Sequence, residues 1–151
     1  MAVSPKPLDF TTGSRPRPTR VLVVEDEEAP RELLSMELHD AGFVVAQAAN
    51  GEQGLEEVLE FEPDVVVLDL MLPLLNGFDV ARMARALERK ENRLPMAIVA
   101  VTALSSEPLR AEALAAGCNA LLTKPIRMKQ VVEQVRVLTP RRAAPAPSES
   151  H

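Results

Sequence analysis

Short apolar runs and amphipathic segments alternate five times along the chain. The apolar runs predict strands near residues 20–24, 43–47, 64–69, 96–101 and 119–123. Uninterrupted runs of β-branched and aliphatic residues, such as Val65–Leu68, are typical of parallel strands that are buried on both faces. Five strand–helix units therefore predict an α/β fold, with a parallel sheet between two layers of helices and right-handed crossovers.

The segments between the strands carry apolar residues at helical spacing, together with residues that start or stop helices. A first helix is expected from about Glu28, with Pro30 in its first turn, and Gly42 should end it. Ser106 should open a fourth, alanine-rich helix that stops at Gly117. The predicted inward-facing helical residues are Leu34, Leu38, Ala41, Leu55, Val58, Leu59, Val80, Met83, Ala84, Leu87, Val131, Val135 and Leu138.

Composition narrows the class of protein. A length of 151 residues supports one domain with a proper core, and an aromatic content of 3% without Trp or Tyr means that the core is aliphatic. The only cysteine, Cys118, excludes an internal disulfide and is interpreted as a small buried side chain. Because no apolar run has membrane-spanning length and no signal-peptide pattern starts the chain, a cytoplasmic protein is expected.

Charge and proline content separate the two ends from the middle. Residues 1–20 carry a net charge of +3 and residues 140–151 a net charge of +1, which leaves −9 for the segment between them. Seven of the thirteen prolines also lie in the ends. We therefore expect a disordered basic arm over residues 1–19, a folded domain over 20–139 and a disordered Pro/Ala/Ser tail over 140–151. The arms either solubilise the domain or contact a partner.

Polar residues follow the apolar runs at the places where candidate chemistry is expected. Asp69 closes the third strand, Glu25 and Asp26 follow the first, Thr102 follows the fourth and Lys124 the fifth. The carboxyl ends of strands in an open α/β sheet lie at the edge where ligands bind. Each residue alone also fits a structural role, such as a helix cap, a dipole partner or a solvated lysine. The combination at four strand ends favours a functional site.

The motifs that contain these residues resemble the receiver domain of bacterial response regulators. They are VLVVED at 21–26, VLDLMLP at 67–73 followed by Asn76-Gly77, VTA at 101–103 and TKP at 123–125. The resemblance extends over about residues 20–138 and implies a flavodoxin-like (βα)5 fold with strand order 2-1-3-4-5. Because the chain ends twelve residues after Thr139, a stand-alone regulator without an output domain is expected.

The resemblance also implies a role for each site residue. Asp69 would accept a phosphoryl group, while Lys124 and Thr102 would contact the phosphoryl oxygens. Positioning and neutralisation of charge carry most of phosphoryl transfer, and Mg²⁺ prefers hard oxygen ligands. The implied Mg²⁺ ligands are Glu25, Asp26, Asp69 and the backbone carbonyl of Met71.

The function implied is that of a signalling switch in a two-component phosphorelay. A histidine kinase or a histidine phosphotransfer protein would donate the phosphoryl group. Binding of an unidentified downstream protein would then change at the face formed by the fourth helix, fifth strand and fifth helix. No enzymatic activity is expected beyond self-phosphorylation and dephosphorylation, and no contact with DNA or membrane. His39 is interpreted as a solvated residue of the first helix.

One position departs from the family pattern, and three other classes of function compete. Receivers usually carry Tyr or Phe three residues before the lysine, where this chain has Leu121. Leu121 is therefore either a core residue or part of an altered, shallower switch. A receiver-like scaffold that works without phosphorylation is the main alternative. A haloacid-dehalogenase phosphatase would need an acid at Met71, and a flavodoxin-like cofactor binder would need a phosphate loop where residues 25–28 are all acidic.

Overall fold

The computed structural model describes residues 17–140 and the backbone of residues 143 and 144. In this part of the chain, five strands form one parallel sheet: β1 Arg20–Val24, β2 Val44–Ala48, β3 Val65–Asp69, β4 Ala97–Thr102 and β5 Ala120–Thr123. Their order across the sheet is β2-β1-β3-β4-β5. The flavodoxin-like order is therefore confirmed, and each predicted strand boundary is correct to within one residue.

A helix follows each strand. The helices are α1 Glu28–Asp40, α2 Gly51–Glu60, α3 Gly77–Lys90, α4 Glu107–Ala115 and α5 Met128–Leu138. Three of them begin at a polar side chain that accepts a hydrogen bond from the backbone two or three residues into the helix. These capping residues are Asn50, Asn76 and Ser106.

Two apolar layers cover the faces of the sheet. On one face, alternate strand residues such as Leu22 and Ile98 pack in a cluster with residues of α2, α3 and α4. On the other face, residues such as Val21 and Val67 pack with α1 and α5. Because each fully buried aliphatic side chain contributes about 1.5–3 kcal/mol, these layers hold the strand ends in a rigid position.

The prediction of an inward-facing side chain is wrong for two helical residues. Leu59 in α2 is 37% exposed and Met83 in α3 is 46% exposed. The helix faces that lie against the sheet are lined by small residues, including Gly54 and Ala81. Small residues bring the helices close to the strands, so the larger side chains at the margin of the apolar stripe remain partly in solvent.

The folded domain begins earlier than residue 20. Arg17–Pro18 pairs in parallel with Ala143–Ala144, and Thr19 is buried. The Arg17 guanidinium binds both carboxylate oxygens of fully buried Asp64, at 2.8 and 2.9 Å. A buried carboxylate needs a cation, and this requirement holds the end of the predicted arm on the domain. The rest of the two predicted arms lies outside the described residues.

Three further expectations concern single side chains and the membrane. Cys118 is buried, and this burial raises the pKa of its thiol to about 11, against the opposing charges of Arg85 and Arg82. The thiol is therefore neutral, as expected for a small core side chain. His39 is exposed on α1. Within the described residues, no helix is both long enough and apolar enough to cross a membrane.

Candidate functional site

The five predicted site residues lie at one edge of the sheet, where the strands end. Glu25 and Asp26 follow β1, Asp69 is the last residue of β3, Thr102 the last residue of β4, and Lys124 follows β5. The register of the sheet places Asp69 beside Val101, one residue before Thr102. All but Asp26 and Lys124 are buried, so a predominantly polar group lies at the margin of an apolar core.

Three carboxylates form the acidic part of the site. Glu25, Asp26 and Asp69 each have an oxygen within 4.8 Å of the others. Two carboxylates about 5 Å apart repel each other by about 3 kcal/mol at an effective dielectric near 20. Burial raises the pKa of Glu25, and the charge of Asp69 raises it further, against the opposing effects of the Glu27 amide and Lys124. Carboxylate oxygens at this spacing fit a hard divalent cation such as Mg²⁺.

Lys124 brings the compensating positive charge. Its Nζ lies 3.2 Å from Asp69 Oδ2 and 3.4 Å from Glu25 Oε1. Burial alone would lower the pKa of Lys124, but the charges and hydrogen bonds of the two carboxylates outweigh it and raise the pKa. The lysine is therefore protonated at neutral pH. One ammonium among three carboxylates leaves the site with an excess of negative charge.

The two oxygens of Asp69 have different partners. Oδ2 contacts Lys124, whereas Oδ1 accepts a hydrogen bond of 2.9 Å from the backbone amide of Met71. These contacts hold the carboxylate in one orientation. The Met71 side chain is half exposed, and the role of the Met71 carbonyl as a metal ligand stays a prediction.

Gly77 is a positioning residue that sequence reasoning treated only as part of a motif. It is the first residue of α3, and its amide donates to the Leu70 carbonyl at 3.0 Å. A Cβ atom at this position would lie 2.5 Å from the Asp69 carbonyl oxygen and 2.5 Å from Leu70 Cα. Only glycine therefore allows the start of α3 to lie against the backbone of Asp69. A glycine next to a capping asparagine was the available signal.

Thr102 and Leu121 are the two residues for which a switch role is predicted. Thr102 is fully buried, and its Oγ1 accepts a hydrogen bond of 3.1 Å from the Leu104 amide in the loop before α4. Leu121 is 8% exposed and belongs to the apolar cluster that also contains Ile98 and Cys118. The interpretation of Leu121 as a core leucine agrees with this position, and its effect on a switch stays a prediction.

A cavity of about 460 Å³ opens beside the acidic residues. Asp69 and Lys124 lie at its polar end, and its apolar walls include Leu34 of α1 and Ile126 in the segment after β5.

Comparison with known proteins assigns the family. Residues 21–136 match the model of the response regulator receiver domain. The chain belongs to this family. This receiver domain is 37% identical over 125 residues to the transcriptional regulatory protein CusR of Escherichia coli K12, which covers 83% of the chain and 53% of CusR. It is 38% identical over 117 residues to the DNA-binding response regulator MtrA of Mycolicibacterium smegmatis, which covers 78% of the chain and 49% of MtrA. The chain thus spans about half the length of these relatives.

Solved receiver structures agree in fold. The chemotaxis protein CheY4 of Vibrio cholerae is 26% identical, with a TM-score of 0.74 over 80% of this chain and 98% of CheY4. The receiver domain of Ssk1 of Saccharomyces cerevisiae, crystallised with the histidine phosphotransfer protein Ypd1, is 27% identical, with a TM-score of 0.78 over 87% of this chain and 95% of the other. The domain is therefore a receiver of two-component signalling, a family that works with histidine kinases or phosphotransfer proteins.

Proposed function

We propose that this receiver domain is a phosphorylation-activated switch in which Asp69 accepts the phosphoryl group. The observation that carries the proposal is the position of the Asp69 carboxylate. It is held at the strand end between Lys124 at 3.2 Å and two further carboxylates. An oriented nucleophile beside a fixed positive charge is the arrangement that phosphoryl transfer requires.

The transfer exchanges one bond to phosphorus for another. A carboxylate oxygen of Asp69 forms a bond to phosphorus while the bond from phosphorus to the donor's histidine nitrogen breaks. The electron pair stays on the nitrogen, and Asp69 becomes an acyl phosphate. Lys124 binds a phosphoryl oxygen, and Thr102 donates its hydroxyl hydrogen to another. The signal ends by hydrolysis: a water oxygen forms a bond to phosphorus while the bond from phosphorus to the Asp69 oxygen breaks, so that the Asp69 carboxylate is restored and inorganic phosphate leaves.

Mg²⁺ is the expected cofactor, because the donor set consists of carboxylate oxygens. The residues that would hold it are Glu25, Asp26, Asp69 and the backbone carbonyl of Met71. When bound, the ion neutralises the charge that builds up on the phosphoryl oxygens.

The output of the switch is expected at the face formed by α4, β5 and α5. Thr102 is tied to the loop before α4 through the Leu104 amide. If the Thr102 hydroxyl oxygen moves toward the phosphoryl group, the Leu104 amide must either follow it or lose its acceptor, so the loop must change. Leu104 and Leu114 are both more than half exposed in this region, as apolar contact residues would be. Phosphorylation shifts partner binding only as far as the two loop states differ in affinity.

The input partner is expected to be a histidine kinase or a histidine phosphotransfer protein. The apolar cavity between α1 and the segment after β5 supports this, because it opens beside Asp69. A docked protein can place an apolar side chain in the cavity and a phosphorylated histidine over the carboxylate. Operation as a stand-alone regulator stays a prediction.

Intact-mass spectrometry tests the proposal. The protein is incubated with acetyl phosphate, with and without Mg²⁺, as wild type, Asp69→Asn and Asp79→Asn. Asp79 is a half-exposed carboxylate in the first turn of α3 that pairs with Arg82, and it serves as a matched control. We expect one Mg²⁺-dependent phosphoryl adduct in wild type and in Asp79→Asn, and none in Asp69→Asn. An adduct that persists in Asp69→Asn would reject Asp69 as the acceptor.

A receiver-like scaffold that works without phosphorylation is the second candidate function. The observation that favours it is the position of Leu121 in the core. A partner captured with the unphosphorylated domain distinguishes the two functions. A switch changes its affinity for this partner when Asp69 is phosphorylated. An affinity that stays the same, or a wild type that no donor phosphorylates, supports the scaffold.

A further inference from the structure

Arg31 is a second cation next to the acidic residues, and no part of the proposed function uses it. It lies in the first turn of α1 and is half buried. Its Nη1 donates to the backbone carbonyl of Glu25 at 3.0 Å, and its Nε donates to the side-chain carbonyl of Gln47 at 3.1 Å. One guanidinium thus joins α1, the acidic loop after β1 and the edge strand β2.

The contact with Glu25 determines the direction of Asp26. The carbonyl of Glu25 and the amide of Asp26 belong to the same planar peptide unit. A donor that holds this carbonyl therefore also fixes the plane from which the Asp26 side chain leaves the backbone. The Asp26 carboxylate is exposed, and among the described residues it has no hydrogen bond or ion pair. Its position in the cluster depends on its backbone.

The other contacts of the loop complete a rigid support. The Glu25 amide donates to Ala48 of β2 at 3.1 Å, and the Glu27 amide donates to Glu25 Oε2 at 3.1 Å. Ser35, one turn later in α1, donates its hydroxyl hydrogen to the Arg31 carbonyl at 2.7 Å. Because Gln47 also binds the guanidinium, through Nε, Arg31 has less freedom to turn away.

The helix itself does not favour an arginine at position 31. A cation in the first turn of a helix is opposed by the helix dipole, which favours acidic residues there. Arg31 is also the only Lys or Arg between residues 25 and 62, a segment that contains twelve acidic residues. The contact with the Glu25 carbonyl explains why an arginine occupies this position.

We infer that Arg31, braced by Gln47, is a positioning residue for the divalent cation of the acidic site. This inference rests on the proposed function, because it concerns the same carboxylates. Arg31 touches neither the cation nor the phosphoryl group. It acts through the Glu25–Asp26 peptide, which it holds in the orientation that brings Asp26 toward Glu25 and Asp69.

Divalent-cation binding by the full chain tests the role directly. The dissociation constant for Mn²⁺ is measured by electron paramagnetic resonance, and that for Mg²⁺ by competition. The variants are Arg31→Ala, Arg31→Lys, Gln47→Leu and, as the control, Arg89→Ala. Arg89 is exposed near the far end of α3, so its loss removes the same charge at a distance where salt screens it.

We expect Arg31→Ala to raise the dissociation constant about tenfold, the low end of the effect of residues that orient metal ligands. Arg31→Lys should recover part of the affinity, because an ammonium can still reach the Glu25 carbonyl but lacks the planar fork that also binds Gln47. Gln47→Leu should weaken binding less than Arg31→Ala, and Arg89→Ala should match wild type. At saturating Mg²⁺, the rate of phosphorylation of Arg31→Ala by acetyl phosphate should return toward that of wild type.

The outcomes separate this inference from the proposed function. If wild type binds Mg²⁺ and is phosphorylated but Arg31→Ala has the affinity of Arg89→Ala, the inference is rejected and the proposed function stands. A melting temperature that falls without any change in affinity has the same meaning. If wild type binds no divalent cation, both are rejected. If Arg31→Ala does not fold, Arg31→Lys and Gln47→Leu decide, and wild-type affinity in both rejects the role.

Discussion

The acidic side chains at the two edges of the sheet are neutralised by cations to different extents. At the amino edge, where the strands begin, each buried acid has a matched cation. Arg17 binds both oxygens of Asp64, and the Arg20 amide donates to the same carboxylate at 2.9 Å. Arg85 binds both oxygens of Glu88 at 2.8 and 3.1 Å. The Arg17 pair has the two-point geometry of a strong charged pair, and in the Arg85 pair one nitrogen contacts both oxygens.

At the carboxyl edge, three carboxylates share one ammonium. The distances from Lys124 to Asp69 and Glu25, 3.2 and 3.4 Å, are longer than those of the arginine pairs, and Asp26 has no side-chain partner among the described residues. The acids of one edge are neutralised by the protein, which favours stability. The acids at the carboxyl edge are only partly neutralised, which favours binding of a cation and of a transferred group.

The largest expected effect is at the amino edge, for Arg85→Met. Arg85 also donates to the carbonyls of Met96 and Gly117, at 2.7 Å each. Its removal leaves Glu88 buried without a cation, and breaking a buried pair in this way costs about 3–5 kcal/mol. Urea unfolding should show this loss in the free energy of unfolding, while the affinity for Mg²⁺ should remain that of wild type.

The double variant Arg85→Met, Glu88→Met is the control for this prediction. It removes the stranded charge, so it should be more stable than Arg85→Met alone. A single variant as stable as wild type, or one that also loses Mg²⁺ affinity, would remove the distinction between the two edges.

A smaller effect is expected at the carboxyl edge for Gly77→Ala. The new Cβ meets the backbone of Asp69 and Leu70 at 2.5 Å, and overpacking of this kind costs about 1–3 kcal/mol. Because the displaced backbone carries Asp69, the rate of phosphorylation by acetyl phosphate should fall as well. Thermal melts and intact-mass time courses measure the two losses.

Gly54→Ala is the matched control for Gly77→Ala. Its Cβ would meet only Val24 side-chain atoms, at 3.2 and 3.3 Å, and alanine is the better helix former by about 1 kcal/mol. Stability should therefore stay close to that of wild type and phosphorylation should be unchanged. Equal losses in both glycine variants would show that Gly77 has no special place at the site.

The sequence predicted the fold well because the apolar runs are long and the strand ends carry polar residues. An apolar run such as Val65–Leu68 is typical of a buried strand inside a parallel sheet. Once parallel strands are assumed, Asp69 and Lys124 must lie at the same edge. The strand order, in contrast, came from the family resemblance, because periodicity does not distinguish neighbouring strands.

What the sequence did not predict depends on contacts between distant residues. Arg17 was placed in a disordered arm because its neighbours are prolines, and its partner Asp64 is 47 residues away. Arg31 was not singled out from the sequence, since nothing local shows that its guanidinium reaches the Glu25 carbonyl. Local composition and periodicity contain no record of such pairs.

Asp26→Asn should change stability less than Gly77→Ala does, and it should raise the stability of the metal-free domain instead of lowering it. Removing an exposed charge that repels two others should stabilise the metal-free domain by about 1 kcal/mol, because solvent screens most of the repulsion. In saturating Mg²⁺ the order should reverse, since wild type gains more binding energy than the variant. Melting temperatures in chelator and in Mg²⁺ test both parts, and a variant that is less stable in chelator would contradict the repulsion.

The smallest effect concerns pH at the carboxyl edge. Burial, aided by Asp69, raises the pKa of Glu25 above its ordinary value of 4.5, so the folded domain takes up this proton more readily than the unfolded chain. Stability contributed by this group therefore rises as pH falls through the raised pKa toward 4.5, and it is lost as pH rises. Lys124, whose pKa is also raised, titrates only in alkaline solution and does not enter this window. We expect the free energy of unfolding of wild type, minus that of Glu25→Gln, to increase between pH 7 and 5 in chelator, as measured by urea unfolding. A difference that decreases over this range would mean that the carboxylates of this edge are already as well neutralised as those of the amino edge.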